Sequence, residues 1–356
     1  MTVYLLNFIS IPIYGLIFKK KKRVIIVLVA LQMFLMLSLR SQTLGTDLAN
    51  YKIFYEAYRE MSVWEIIRGF RPIGGSTHDY GVESGYVLFN WIIGKMGINF
   101  HGFLVIYAAI VISSVAIFID RYCKRDPALA LATFVSIGGF TSLFFILRQS
   151  LGLAILLFAI PALVDRKFWH FLIVVFLAAL FHQSLFVALL LYPLSIFKAN
   201  KGLYVATIAS SLLLVAVTPY LYNNFVFPLL LKLGRVYYID DFTWNNLFAV
   251  MVLIAIMIMI FYKNSDRWDN TMQCGYLLTI PIQALAFYIP VFSRLAGAVF
   301  INFLCVLIPG LVYSFNTESQ RIQAKTIAYV GMFVFYLYTL IIDNVLVPYV
   351  PFWAAV

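Results

Sequence analysis

TVYLLNFISIPIYGLIF (residues 2–18), KKKKR (19–23) and VIIVLVALQMFLMLSL (24–39) open the chain. Two apolar runs near spanning length flank five consecutive cations. Crossing the hydrocarbon core takes about 20 apolar residues, with about 17–25 the usual range. Hydrocarbon offers no partner to a peptide group, so runs of this kind are satisfied as helices.

The pattern recurs along the 356 residues. Apolar segments fall near 2–18, 24–39, 100–119, 127–146, 147–163, 168–181, 184–197, 203–222, 247–262, 271–290, 294–315 and 326–343. Composition agrees: 63% of residues are hydrophobic, 17% aromatic and 12% charged, and mean hydropathy is +0.93. A soluble domain carries about twice that charge, and here there is too little to cover a water-facing surface. Disordered and collagen-like chains are excluded by the same numbers. Membrane strands alternate polar and apolar residues and do not give unbroken runs. The expectation is an all-α, polytopic integral membrane protein of about 12 transmembrane helices, one transmembrane domain over residues 1–356. The basic cluster follows the first apolar run, the wrong order for a cleavable signal peptide. Cys123, Cys274 and Cys305 lie far apart and form neither a disulfide framework nor a zinc spacing.

The net charge is +11, which in a soluble protein would suggest nucleic acid. Orientation accounts for it instead. If residues 19–23 are cytoplasmic, twelve crossings put 16 Lys+Arg and 6 acidic residues inside, against 10 and 9 outside. Excess cations on cytoplasmic loops fix topology. The expectation is that the N- and C-termini lie outside and that no nucleic acid is bound. The long stretch 40–99 and a second one at 223–246 then face outward. Loops that long are usually functional. Ser62–Val63–Trp64–Glu65 reads as a capping box opening a short helix. Residues 84–96 read as an interfacial or re-entrant helix, being apolar but too short to span.

Charges inside apolar segments are costly unless paired or wet. Arg148 lies in FILRQSLGLAILLFAI, and His182 separates two short runs, 168–181 and 184–197. A 14-residue helix rises only about 21 Å, less than the roughly 30 Å core. The outer apices carrying Arg148 and His182 are therefore expected below the outer surface, on the wall of a cavity open to the outside. Arg294, in YIPVFSRLAGAVF, and Arg235 lie at other outer turns. Guanidinium forks suit phosphate oxygens, and in a membrane the fitting ligand is a lipid-linked diphosphate. Against this stand a snorkelling arginine, an interfacial anchor and a core histidine. In Gly45–Thr46–Asp47–Leu48–Ala49–Asn50–Tyr51, Asp47 and Tyr51 share a helix face. Simple helix capping is an equal reading. Asp79–Tyr80–Gly81–Val82–Glu83–Ser84–Gly85–Tyr86 sets two carboxylates among aromatics, a composition that suits sugar binding and equally suits a turn with a cap. No DxD, GxxxxGK[ST], GxSxG or HExxH motif occurs.

GTDLANY (45–51), ESGY (83–86), LRQSLGLAI (147–155) and FHQS (181–184), followed by Pro193, resemble the EpsG family in order and spacing. These are Wzy-like bacterial polymerases of exopolysaccharide and capsule repeat units. The motifs cover about residues 40–200, and the hydropathy layout fits the whole chain, with Arg294 as counterpart of an outer-face arginine. The resemblance implies a metal-independent glycosyltransferase, without cofactor, on the outer face of the bacterial cytoplasmic membrane. It would move a growing glycan from undecaprenyl diphosphate to the non-reducing end of a lipid-linked acceptor unit. Membrane lipid, a chain-length regulator and a flippase are the implied partners. On this reading Arg148, Arg294 and Arg235 hold the leaving diphosphate, and His182 or Asp47 takes the proton of the attacking hydroxyl in one inverting displacement. Tyr51, Tyr80, Glu83, Gln149 and Ser184 would bind substrate. Two rivals are a lipid-linked oligosaccharide flippase, whose cations should line both ends of the core, and a membrane O-acyltransferase, which needs a histidine that meets acyl-CoA.

Overall fold

A computed structural model describes residues 1–42, 44–45, 47–73, 81–228, 244–262, 270–289, 292, 301–342 and 346–354. Among them the chain is helical, with one isolated antiparallel bridge, Arg40 to Pro351. The first helices are α1 (Thr2–Ile17), α2 (Lys22–Ser38), α3 (Leu48–Glu60), α4 (Val63–Gly69), α5 (Ser84–Lys95) and α6 (Phe100–Tyr122). Short ones follow: α7 (Pro127–Ser136), α8 (Gly139–Ser142), α9 (Leu147–Leu157), α10 (Ile160–Val164), α11 (Phe168–Ala179) and α12 (Leu191–Ile196). The last are α13 (Lys201–Leu221), α14 (Trp244–Tyr262), α15 (Asn270–Leu285), α16 (Leu304–Tyr313) and α17 (Glu318–Ile342). Three described helices are long and apolar enough to cross a membrane alone: α6, α13 with its extension to Val226, and α17. With the composition, they mark a membrane-embedded protein.

Three segments expected as continuous spans are broken. The 127–146 segment stops at Ser136, passes through Gly138 at φ +87° and restarts as the four-residue α8. In the 147–163 segment α9 ends at Leu157, four residues before Pro161. A proline has no N–H to give that carbonyl, and its ring collides with it. The 184–197 segment is a 3-10 helix, Gln183–Leu190, running into the six-residue α12. At 1.5 Å per residue, helices of ten or eleven residues cover about half the hydrocarbon thickness. Irregular backbone at that depth survives only where protein encloses it.

Enclosure begins at α7. Asp126 caps it, accepting from Leu129 N at 3.0 Å, and Pro127 opens it at a position that needs no N–H. All ten of its residues are buried, packed by α1, α2, α16 and α17. Gly15 makes the α1 contact possible, since a Cβ there would stand 2.8 Å from Ala128 Cβ.

The two ends of the bundle differ in charge. At one, Lys22 and Arg23 meet Asp120 at 3.3 and 3.8 Å, and Arg125 donates to Tyr313 O. Lys325 pairs with Asp126 at 2.5 Å, and Tyr313 Oη donates to the same carboxylate. At the other end the chain's beginning and end meet. The Tyr4 and Tyr349 rings lie 6.0 Å apart, Ser41 N donates to Val350 O and Phe352 N to Leu39 O. The stretch 40–99 is partly helical, as expected. The Ser62–Glu65 capping box is formed by bonds of 3.3 and 2.6 Å. Helix α5 is largely buried instead of lying on a surface.

Removing one partner of the Lys325–Asp126 pair leaves a buried charge. Complete burial makes that loss about 3–5 kcal/mol, and the 31% exposure of the Lys325 side chain reduces it. Lys325→Met should lower stability by about 1–3 kcal/mol, read as Tm in detergent. Lys325→Met/Asp126→Asn should recover part of it, because asparagine keeps the cap without the charge.

Candidate active site

Three segments far apart in sequence deliver one cluster. Glu83 precedes the first turn of α5, Arg148 lies in the first turn of α9, and His182 follows the end of α11. Arg148 Nη1 donates to Glu83 Oε2 at 2.6 Å. His182 Nδ1 lies 2.9 Å from Oε1, and Gln183 N donates to the same oxygen at 3.3 Å. The Tyr51 hydroxyl lies beside the guanidinium and feels its charge.

Two glycines permit this convergence. Gly85 N donates to Leu180 O at 2.9 Å, and a Cβ at Gly85 would stand 2.7 Å from that oxygen. A Cβ at Gly152 would stand 2.8 Å from Ala178 O. Thus α5 and α9 both press on the end of α11, where His182 begins the next turn. The glycine of ESGY sits two residues from Glu83 and that of LRQSLG four from Arg148, so each motif carries a polar side chain and the gap that seats it.

The electrostatics follow from the contacts. Burial alone would push the Glu83 carboxyl up, but the His182 hydrogen bond and the Arg148 charge outweigh it and hold it below the usual glutamate value. Glu83 is therefore ionised near neutrality and can only accept. That places an imidazole proton on Nδ1, the ring nitrogen that faces the carboxylate. Arg148 and His182 side chains are each 27% exposed, so both can meet a ligand.

The remaining expected site residues fall as follows. Asp47 precedes α3 without capping it through its side chain, and its backbone oxygen accepts from Tyr51 N. Gln149 is buried. Ser184 stands two residues past His182, its hydroxyl buried and without a hydrogen bond. Arg235, Arg294 and Tyr80 lie outside the described residues. One cavity among the described residues lies between α6, α7 and α9, lined by residues such as Val111, Phe134, Ile146, Ser150 and Leu157. Among the described residues no three His, Cys, Asp or Glu side chains converge as a metal site would require. The bridging role of Glu83 was not visible from its turn-like surroundings, where it read as a binder of sugar hydroxyls.

Gly85→Ala should push α5 off Leu180 and pull Glu83 from its partners. A displacement of about 1 Å at a reacting site can cost about a hundredfold in rate. Gly331→Ala, with nothing within 4 Å of its added Cβ, is the control and should be neutral. Because the folded Glu83 value is depressed, its stabilisation is present above the ordinary glutamate range and is lost as pH falls through the lower folded value. Acid unfolding profiles of wild type and Glu83→Gln should therefore converge at low pH.

A model of the EpsG family matches residues 4–351. No curated protein and no solved structure matches the chain. The family match holds the four sequence motifs, three of which the fold brings to one carboxylate. It covers nearly the whole length, and the chain belongs to the EpsG family, with a polysaccharide-polymerase type of function.

Proposed function

We propose that this protein polymerises lipid-linked oligosaccharide repeat units on the outer face of the bacterial cytoplasmic membrane. The growing glycan leaves undecaprenyl diphosphate and joins the terminal sugar of a second lipid-linked unit. The observation that carries the reading is the Glu83 carboxylate shared between Arg148 and His182.

Each group has work that suits this chemistry. Glu83 fixes the His182 tautomer, so that Nε2 takes the proton of the attacking sugar hydroxyl. As the C–O bond forms, the bond to the diphosphate breaks, and the electron pair leaves with the phosphate oxygen. Arg148 Nη1 is held by Glu83, and the exposed part of its guanidinium is placed to stabilise that charge. Arg235 and Arg294 enter as further cations from the sequence. Asp47 and Tyr51 are assigned to acceptor hydroxyls, with Tyr80, Gln149 and Ser184 as the remaining substrate contacts. One displacement with one base inverts the anomeric centre. Orientation follows the charged end of the bundle: Lys22, Arg125 and Lys325 face the cytoplasm, and both termini and the site face outward.

In isolated membranes supplied with their own lipid-linked repeat units, His182→Ala should slow chain growth at least about a hundredfold. Glu83→Gln should slow it less, because the histidine is kept. Unchanged chain length with His182→Ala would remove the base from the mechanism. Chain growth that persists in detergent separates polymerisation from flipping, which needs a bilayer to cross. For topology, an impermeant maleimide should label Trp353→Cys in intact cells and Lys20→Cys only after permeabilisation, and the reverse pattern would invert the map.

A further inference from the structure

The break before α9 frees backbone groups inside the bundle. Ile146 adopts φ −99°, ψ 59°, outside the helical region. The Leu143 carbonyl therefore lacks the helical donor four residues on, and a buried carbonyl must find another. Two side chains supply it: Tyr107 Oη donates at 2.7 Å and Arg40 Nη1 at 3.3 Å.

Arg40 is an unusual donor. It has no exposed surface, and its guanidinium lies 5.0 Å from the Phe144 ring centroid and 5.9 Å from that of Tyr107. Its Nε and Nη2 have no hydrogen-bond partner, and among the described residues no carboxylate pairs with it. A buried cation without a counter-ion is expensive, and an apolar side chain of equal length would be more stable there. Its backbone is fastened as well: the flanking bonds Ser41 N to Val350 O and Phe352 N to Leu39 O close the bridge to Pro351. From a third side Gly45, at φ +120°, brings its turn so close to Phe144 O that a Cβ would stand 3.0 Å away. The unwound stretch 143–146 is thus gripped on several sides, two residues before Arg148.

We propose that Arg40, together with Tyr107, is a positioning residue that holds the helix break at 143–146 open, so that α9 leaves it at the angle that brings Arg148 to Glu83. The inference rests on the reading of the site given above. Without these donors the Leu143 carbonyl takes back the Leu147 N–H, α8 and α9 join, and Arg148 turns away from the carboxylate.

The test uses full-length variants as the sole copy in membranes that carry their own lipid-linked repeat units. Arg40→Met keeps length and apolar fit while removing charge and donor. It should slow chain growth about ten- to a hundredfold without lowering the Tm of the purified protein. Arg40→Lys, which restores one donor, should recover part of the rate. The double variant Glu83→Gln/Arg40→Met should be no slower than Glu83→Gln, since both act through one contact. Losses that multiply in the double variant, a Tm that falls with the rate, or wild-type growth by Arg40→Met would each overturn the inference. His182→Ala in the same assay separates the two levels. If it still elongates chains, the reading of the site fails, whereas its loss beside a neutral Arg40→Met defeats only the role of Arg40.

Discussion

An ionised carboxylate among membrane helices must be answered by donors, and Glu83 is answered by Arg148, 65 residues away, and by His182 and Gln183, 99 and 100 residues away. Leaving such a charge unpaired costs several kcal/mol. That single requirement therefore fixes the start of α5, the start of α9 and the turn after α11 relative to one another. The glycines at 85 and 152 are the steric condition for meeting it, because side chains there would hold the three elements apart.

The same cluster explains why so many segments are short. A continuous helix over residues 127–163 would carry Arg148 along one straight axis. Breaking it at Gly138, Ile146 and Leu157 lets the chain turn within the bundle. Every break exposes peptide groups that hydrocarbon cannot satisfy. The surrounding α6, α7 and the terminal segment are accordingly recruited as donors and cover. Local irregularity and global burial are thus one arrangement: α7, wholly buried, is the wall that allows unwound backbone beside it.

Near one end of the bundle Lys22 and Lys325 are paired with carboxylates and Arg321 is bonded to a carbonyl. Away from that end Arg148 shares the Glu83 carboxylate with His182 and keeps part of its side chain exposed.

Composition and the spacing of apolar runs determined the helical, membrane-embedded class, because hydrocarbon admits few ways to satisfy a backbone. Helix ends at α1, α2, α6 and α13 were legible to within a few residues, since long uninterrupted runs leave little choice. That Arg148 and His182 need partners was legible too, because an ionisable group in an apolar run must be paired or wet wherever it occurs. The partnership of Glu83 with both was not, for nothing near residue 83 records what stands opposite it across three helices. Arg40 escaped notice for a similar reason: at the edge of a run it resembles a flanking anchor, and only the packing of Phe144, Tyr107 and the terminal segment around it reveals complete burial. Which runs stay continuous and which break was likewise decided by tertiary contact, since an apolar run of fourteen residues is equally content in lipid and against another helix.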